Sequence, residues 1–510
     1  MKIEKYNQLL QDIETKAKNL SYKGYLFERG LITFIGASIV GAKGIHDCFI
    51  GEVVQIGESS QGYVFGFRGE EVQIILLDAS SKVKMGDPVF RTGKALSIPT
   101  GRGLIGRIVD PTGKPIDGKG PLSVSHTKLV ERIAPSVIER RPVSKPIQTG
   151  IKVVDSMIPI GKGQRELIIG DRQTGKSSIL IDTIINQKEA NVICIYVAIA
   201  QRASTVSSIV DTLSQYGALD YTAFIVSLAE DPPSLRYLSP FSGTALAEYF
   251  AQQGKDVLIV YDDLSKHADS YRELSLLLQR PPAREAYPSD IFYLHSRLLE
   301  RSGNFTDSLG GGSITALPVV ETYGGDISQY IPTNLISITD GQIYLEKELF
   351  NTGIRPAINV GLSVSRVGSS AQTGIMKQVS KSLRLDLSQY HDLKTFTEFG
   401  AELDKETLYR LKRGEQLVEL MKQPNNEPVP LILQVFMLYA YQQHFLDDIP
   451  LSMLQTFSKE LYQELLETVP QVLEMIIRAD KISEEMGETG RKHIVAFIEK
   501  FKTSHQSEIA

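Results

Sequence analysis

Residues 170–177 have the types and spacing of a phosphate-binding loop, G-x-x-x-x-G-K-[ST]. In order they are Gly170, Asp171, Arg172, Gln173, Thr174, Gly175, Lys176 and Ser177. The glycines let the backbone pass close to phosphate oxygens, and the loop amides form a nest with the N-terminus of the following helix. The lysine provides positive charge for the β- and γ-phosphates, and the serine hydroxyl suits Mg²⁺. The motif predicts a site for ATP or ADP with Mg²⁺.

A pair of acids follows a later apolar run and fits the same site. Asp262 and Asp263 come directly after residues 257–261, about 85 residues beyond the loop. A buried strand that ends in an acid delivers a carboxylate to the Mg²⁺ shell, usually through water. Asp262 is the predicted magnesium partner, because it is the first residue past the apolar run. Asp263 is a candidate N-cap of the next helix.

The segments around these motifs predict a doubly wound α/β domain. Apolar runs at 166–169, 192–197 and 257–261 are typical of buried parallel strands, and 177–187 has helical spacing. Strands that alternate with helices indicate a parallel sheet with helices on both faces. The phosphate-binding loop therefore connects a strand to a helix, which is the context that the motif requires.

The two ends of the chain differ from this middle region. Strand-like runs at 31–35, 48–56, 62–67 and 72–77, with glycines between them, predict a small β-barrel. From about residue 378 the pattern is helical, with one apolar face and further amphipathic helices at 451–469 and 472–486. The face comprises Leu408, Leu411, Leu417, Leu420 and Met421. The predicted domains are a helical extension (1–25), a β-barrel (26–98), a P-loop α/β domain (99–376) and a helical domain (377–510).

Bulk composition excludes several classes of protein. The 42% hydrophobic and 23% charged residues are ordinary for a globular protein, and the net charge of -5 argues against a nucleic-acid partner. Cys48 and Cys194 both lie in apolar runs, which predicts buried reduced thiols. The N-terminal segment is charged and resembles neither a secretory signal nor a transit peptide. No apolar run is long enough to span a bilayer, so we expect any membrane link to come through partners.

Three segments, 161–185, 279–301 and 356–372, resemble the alpha subunit of F-type ATP synthase, in the rotary ATPase alpha/beta family. The resemblance implies a barrel, a nucleotide-binding domain and a helical domain. It also implies a ring of three alpha and three beta chains, with gamma, delta and epsilon subunits and stalks to a membrane sector. The expected function is ATP synthesis or hydrolysis coupled to H⁺ or Na⁺ transport. The expected location is the cytoplasmic side of a bacterial inner membrane, as a peripheral protein.

Gln201 distinguishes an alpha-like from a beta-like chain. In beta-like chains the strand after the phosphate loop leads to a Glu that polarises the attacking water, and Gln201 stands at that position. An amide holds water by hydrogen bonds but is a very poor base. The resemblance therefore implies a regulatory site that binds nucleotide without catalysis. Ala200 and Arg202 replace the Gly and Lys that usually flank this glutamine, which leaves a divergent paralogue open.

Two residues of the 363–366 segment match the catalytic contribution of the family's alpha chains. Arg366 matches the arginine finger that reaches into the neighbouring beta site and stabilises charge on the transferring phosphoryl group. Ser363 matches a position needed for activity, and the expected role is to shape the same interface.

The resemblance also suggests contacts at the base of the nucleotide. Arg355 and Gln423 match residues near the adenine of the non-catalytic site. Pro424 and Asn425 replace a Gly and a Gln that are common in alpha chains. This departure leaves the adenine contact open, with a plain helix-ending loop as the alternative.

Two other functions remain open from the residues. One is a different hexameric ATPase, such as a secretion ATPase or an RNA helicase, although such chains need a catalytic Glu near position 201. The other is a ring spacer whose bound nucleotide is only a structural strut. Arg366 separates the spacer from the alpha-like subunit, because a spacer needs no finger.

Overall fold

A computed structural model of the chain describes residues 28–78, 83–398, 404–468 and 484–505. The predicted extension at 1–25 lies outside these residues, and so do residues 472–483 of the predicted helix 472–486. The chain divides into two compact units after Ala95. The predicted domain boundaries remain predictions.

The first unit contains a closed six-stranded antiparallel barrel in the order β1-β2-β5-β4-β3-β6, with β6 pairing β1. Its strands are β1 (Arg29–Ile35), β2 (Ile39–Lys43), β3 (Glu52–Ile56), β4 (Ser60–Arg68), β5 (Glu71–Leu76) and β6 (Pro88–Ala95). Alternation along the strands sends one set of side chains inward, and Val54, Val64, Ile74 and Val89 form the closed interior. The predicted barrel is confirmed.

The sequence pattern did not predict two barrel strands, β2 and β6, and a third strand begins later than predicted. The strand predicted from Cys48 starts at Glu52. The intervening residues turn instead: the Cys48 thiol donates to Ile45 O, and Gly51 has φ +96°. A left-handed residue at this point interrupts extended backbone.

The second unit is built on a nine-stranded sheet in the order β19-β18-β12-β17-β15-β13-β14-β8, with β16 also pairing β17. All of its pairs are parallel except those of β16 and β19. The strands of this unit are β7 (Ser97–Thr100), β8 (Ile108–Val109), β9 (His126–Leu129), β10 (Pro146–Ile147), β11 (Ile160–Gly161), β12 (Leu167–Gly170), β13 (Val192–Gln201), β14 (Thr222–Leu228), β15 (Asp256–Asp262), β16 (Gly303–Asn304), β17 (Ser313–Glu321), β18 (Gly341–Leu345) and β19 (Val364–Ser365). The predicted α/β architecture is confirmed.

Helices cover this sheet and then continue as a helical domain. They are α1 (Lys152–Met157), α2 (Lys176–Ile185), α3 (Ala203–Gln215), α4 (Pro233–Ala251), α5 (Leu264–Leu277), α6 (Ile291–Leu299), α7 (Tyr330–Ile338), α8 (Lys347–Asn351), α9 (Gly374–Ser380), α10 (Leu383–Glu398), α11 (Lys405–Met421), α12 (Leu431–Gln442), α13 (Leu454–Thr468) and α14 (Glu484–Ser504). The predicted helical C-terminal region is confirmed.

The apolar face predicted for α11 is only half right. Leu417, Leu420 and Met421 are buried, but Leu408 is 50% exposed. Tyr409 is 43% exposed as well, so the apolar spacing in the first turns of α11 does not lead to burial.

Both cysteines are buried and free, as predicted. None of the helices that the structure describes is long and apolar enough to cross a membrane.

Candidate nucleotide-binding site

The phosphate-binding loop connects the carboxyl end of β12 to the first residue of α2. Gly175 has φ +97°, a left-handed conformation that glycine adopts without strain. A Cβ on Gly170 would lie 2.5 Å from Leu345 O on the neighbouring strand, so only glycine fits there. Both motif glycines are therefore required by the backbone path, and the loop amides precede the positive end of α2.

Residues at the end of β17 and just after it brace the loop from outside. The Asp171 carboxylate accepts hydrogen bonds from Thr322 Oγ1 at 2.6 Å and Gly325 N at 3.0 Å. Arg172 Nε donates to Glu321 Oε2 at 2.9 Å. These contacts hold the loop in one shape before any ligand is considered.

A cavity of about 360 Å³ opens over the loop and α2. Most of the predicted nucleotide-binding residues line it, namely Gln173, Thr174, Gly175, Lys176, Ser177, Gln201, Asp262, Arg355 and Gln423. Gly170, Asp171 and Arg172 support the loop beside it. The fold thus brings together residues from five separate parts of the sequence.

Lys176 lies at the bottom of this cavity, with its side chain buried. Its ammonium donates to Gly170 O at 2.9 Å and Asp171 O at 2.5 Å. Burial lowers the pKa of Lys176, whereas the nearby carboxylates, Glu321 first among them, act in the opposite direction. The ammonium therefore sits where a phosphate group would replace backbone carbonyls as its partner.

Asp262 and Ser177 form a small oxygen-ligand set in the cavity. Asp262 ends β15 and accepts a hydrogen bond of 2.6 Å from Tyr196 Oη. Burial raises the pKa of Asp262, and the bond from Tyr196 opposes that rise. Among the residues with a described position there is no cluster of three His, Cys, Asp or Glu that could hold a metal alone. One carboxylate and one hydroxyl fit Mg²⁺, which takes most of its ligands from water and phosphate.

The next residue, Asp263, has the capping role suggested by the sequence. Its carboxylate accepts a hydrogen bond from Lys266 N at 2.8 Å at the start of α5. Burial raises its pKa to about 7, and the ammonium of Lys266 opposes that rise.

Gln201 ends β13 and faces the same cavity. Its Nε2 donates to Asp262 O at 3.1 Å, and the side chain is buried. The preceding Ala200 has φ +49°, and the pairing of β13 with β14 shifts register between Ala198 and Gln201. This bulge turns the amide toward the cavity, and it requires a left-handed conformation from an alanine.

At the opposite end of the cavity, Arg355 and Gln423 lie on adjoining segments. Arg355 stacks over the Phe350 ring at 4.5 Å, and Gln423 N donates to Arg355 O at 2.8 Å. The Gln423 amide accepts from Lys152 N at 3.1 Å and donates to Gly150 O at 2.9 Å. The exposed Arg355 guanidinium over the half-buried Phe350 ring presents a flat surface of the kind a base stacks on.

Several lining residues were not predicted from the sequence, among them Asp182, Phe350 and Glu321. Glu321 follows a buried strand just as Asp262 does, and identification of β17 would have revealed it. Asp182 lies two turns along α2, and only the fold brings Asn426 N within 2.7 Å of its carboxylate.

Ser363 and Arg366 lie apart from this cavity, at the edge strand β19. The Ser363 hydroxyl is buried and donates to Asn359 O at 2.6 Å while it accepts from Tyr344 N at 2.9 Å. The Arg366 side chain is exposed, and it forms no hydrogen bond or ion pair with any other described residue.

The fold and site together define a P-loop nucleotide-binding protein with a barrel and a helical domain. Residues 150–365 match the nucleotide-binding domain of the ATP synthase alpha/beta family, and 372–501 match the C-terminal domain of the alpha/beta chain. The chain belongs to the ATP synthase alpha/beta family.

Relatives within that family support the predicted resemblance to alpha subunits in particular. An ATP synthase subunit alpha from Aquifex aeolicus is 49% identical over 97% of this chain and 99% of its own length. The corresponding subunit from Caldanaerobacter subterraneus is 51% identical over 95% and 96%. One from Clostridium botulinum is 49% identical over 99% of both chains. The predicted resemblance to alpha subunits is confirmed.

Proposed function

We propose that this chain holds Mg-ATP or Mg-ADP at a regulatory, non-catalytic site and contributes Arg366 to a catalytic site on a neighbouring beta chain. The observation that carries the proposal is the composition of the cavity. It combines Lys176, Ser177 and Asp262 with an amide, Gln201, at the position where a water-activating carboxylate is needed.

Different residues would hold the phosphate end and the base end of the nucleotide. The loop amides and Lys176 bind the phosphates, and Ser177 with water on Asp262 would hold Mg²⁺. The metal would neutralise phosphate charge and orient the β- and γ-phosphates. Arg355 and Phe350 would stack on the base, while Gln423 sets the position of Arg355.

The absence of catalysis at this site follows from the chemistry of Gln201. A neutral amide orients water but does not accept its proton at physiological pH. Glu321 is a further carboxyl group of the cavity, and Arg172 pairs with it at 2.9 Å.

The exposed guanidinium of Arg366 supports the finger role. A guanidinium stays charged at all relevant pH values and binds phosphoryl oxygens through a planar fork of donors. Such a finger contributes roughly 10³–10⁵-fold to turnover. Ser363, buried three residues before it, would shape the loop from which it projects.

The partners in this proposal come from the relatives and from the resemblance. The chain would alternate with beta subunits in an alpha3beta3 ring and associate with gamma, delta and epsilon subunits. Stalks would join the ring to a membrane sector, on the cytoplasmic side of a bacterial inner membrane. Turnover would then be coupled to H⁺ or Na⁺ transport.

The first test uses the purified chain alone. Isothermal titration calorimetry with Mg-ATP should show one binding site, and a coupled phosphate-release assay should show negligible turnover. Brisk hydrolysis by the lone chain would overturn the assignment of Gln201 and favour a self-sufficient hexameric ATPase.

The second test uses the ring reconstituted with beta and gamma subunits of a close relative. Arg366→Ala should reduce ATP hydrolysis by roughly 10³-fold or more, with normal assembly on gel filtration. Arg410→Ala, which removes an exposed arginine from α11, is the matched control and should keep full activity. If the Arg366→Ala ring turns over normally, the chain is only a spacer.

A further inference from the structure

The segment that carries Ser363 and Arg366 returns from β18 through a long loop to the edge strand β19. Val364 and Ser365 pair antiparallel with Gln342 and Gly341, and Arg366 N donates to Asp340 O at 2.8 Å. We call residues 359–366 the finger loop. Its backbone before β19 is shaped locally, because Ser363 N and its hydroxyl both donate to Asn359 O.

One long-range polar contact ties the finger loop to the helical domain. Arg384, in the first turn of α10, donates from Nη2 to Val360 O at 2.7 Å, and the same nitrogen also donates to Ser363 O. Hydrogen bonds from a charged donor are stronger than neutral ones. Leu383, the preceding residue, is fully buried, so Arg384 projects from an anchored point of the helix.

An open cleft of about 850 Å³ lies between much of the finger loop and the helices, although Val360 packs against the core. Val360, Leu362 and Val364 line one side, and Leu387 and His391 line the other. Bonds to β18 hold the other side of the loop, through the β19 pairing and the Tyr344 N bond to Ser363 Oγ. Arg384 spans the cleft and holds the loop from the helical side.

We infer that Arg384 is a positioning residue that holds the finger loop, and thereby Arg366, in the place required for catalysis at the neighbouring subunit. The inference rests on the proposed function of Arg366. Arg384 acts through the carbonyls of Val360 and Ser363 and touches no substrate. It also links helix α10 directly to the finger loop.

The expected effect is a loss of turnover without a loss of substrate binding. A displacement of about 1 Å of a catalytic group costs on the order of 10²-fold in rate. Arg384→Gln should therefore lower kcat by roughly 10–100-fold, with KM within about twofold. Arg384→Lys keeps a charged donor in reach of the carbonyls and should recover part of kcat.

The experiment measures kcat and KM of the reconstituted ring, together with the rate at which ADP and fluoroaluminate inhibit it. Fluoroaluminate mimics the transferring phosphoryl group, so a misplaced finger should slow this inhibition. A general loss of stability would not slow it. Lys394→Gln removes a charge from the same helix and is the matched control. Mg-ATP binding by the isolated variants tests whether the chain's own site is intact.

The outcomes separate this inference from the proposed function. A lower kcat and slower fluoroaluminate inhibition, with normal KM and normal binding at the chain's own site, support the role of Arg384. Normal turnover of Arg384→Gln beside an inactive Arg366→Ala overturns the inference alone. Normal turnover of Arg366→Ala overturns both. If the glutamine variant does not assemble, Arg384→Lys decides: a reduced kcat supports the inference, and full activity refutes it.

Discussion

Asp182 provides a test of the electrostatics of the nucleotide cavity. Its carboxyl group lies on α2 at the base end, is buried, and has one backbone donor, Asn426 N at 2.7 Å. Burial raises the pKa of Asp182 to about 6, against 3.8 for the free group, and the bond from Asn426 opposes that rise. We expect Asp182→Asn to stabilise the isolated chain near neutral pH, because asparagine is uncharged and its oxygen can accept the same bond.

The magnitude follows from the shift in pKa. A folded-state value raised from 3.8 to about 6 means that the folded chain binds the proton more tightly than the unfolded chain. Ionisation then lowers the free energy of unfolding as pH rises through this window. The full penalty, reached above the folded pKa, is about 3 kcal/mol at about 1.4 kcal/mol per unit. The side-chain amide of asparagine needs a partner of its own, so a net gain of about 1–3 kcal/mol is expected.

The assay is urea unfolding of the isolated wild-type and Asp182→Asn chains from about pH 5 to about pH 8. The advantage of the variant should grow by about 1 kcal/mol between about pH 5 and pH 7 and then level off. Asp220→Asn, at an exposed site on the same unit, should change stability by less than about 0.5 kcal/mol at every pH. A variant that is destabilised, or whose advantage does not depend on pH, would refute the reasoning.

Three further substitutions test the site. Lys176→Met should abolish the stabilisation by Mg-ATP that a thermal shift assay measures. For the wild type this stabilisation is about 2.7 kcal/mol at a nucleotide concentration a hundredfold above Kd. An unchanged shift in the variant would place the nucleotide elsewhere. Ala200→Gly should raise the free energy of unfolding by about 1 kcal/mol, because φ +49° strains alanine and not glycine; a loss of stability in urea would show that no strain is present. Tyr196→Phe removes the 2.6 Å bond to Asp262 and should weaken the Mg²⁺-dependent part of ATP affinity by about tenfold. Calorimetry with and without EDTA checks this, and equal weakening in both conditions would argue against a metal role.

The positions of the phosphate-binding loop and of Asp262 were predictable because they depend on local geometry, whereas Gln201 was identified through the resemblance to alpha subunits. A glycine-rich turn between a strand and a helix builds its anion site from its own backbone, and Lys176 and Ser177 follow at fixed spacing. The carboxyl ends of parallel strands meet at one edge of a sheet, so the acid after residues 257–261 had to lie near the loop. Strands β14, β17 and β18 were missed, because short apolar runs do not distinguish a strand from a buried helix without their pairing partners.

Tertiary structure alone decided which distant groups complete the site. The pocket position of Gln423 depends on Lys152 and Gly150, more than 270 residues earlier in the chain. Likewise, no periodic pattern in the sequence predicts that Asn426 lies close to Asp182 or that Arg384 lies close to Val360. Contacts of this kind depend on how the helical domain packs against the sheet, and packing is a property of whole surfaces that no local pattern of residues encodes.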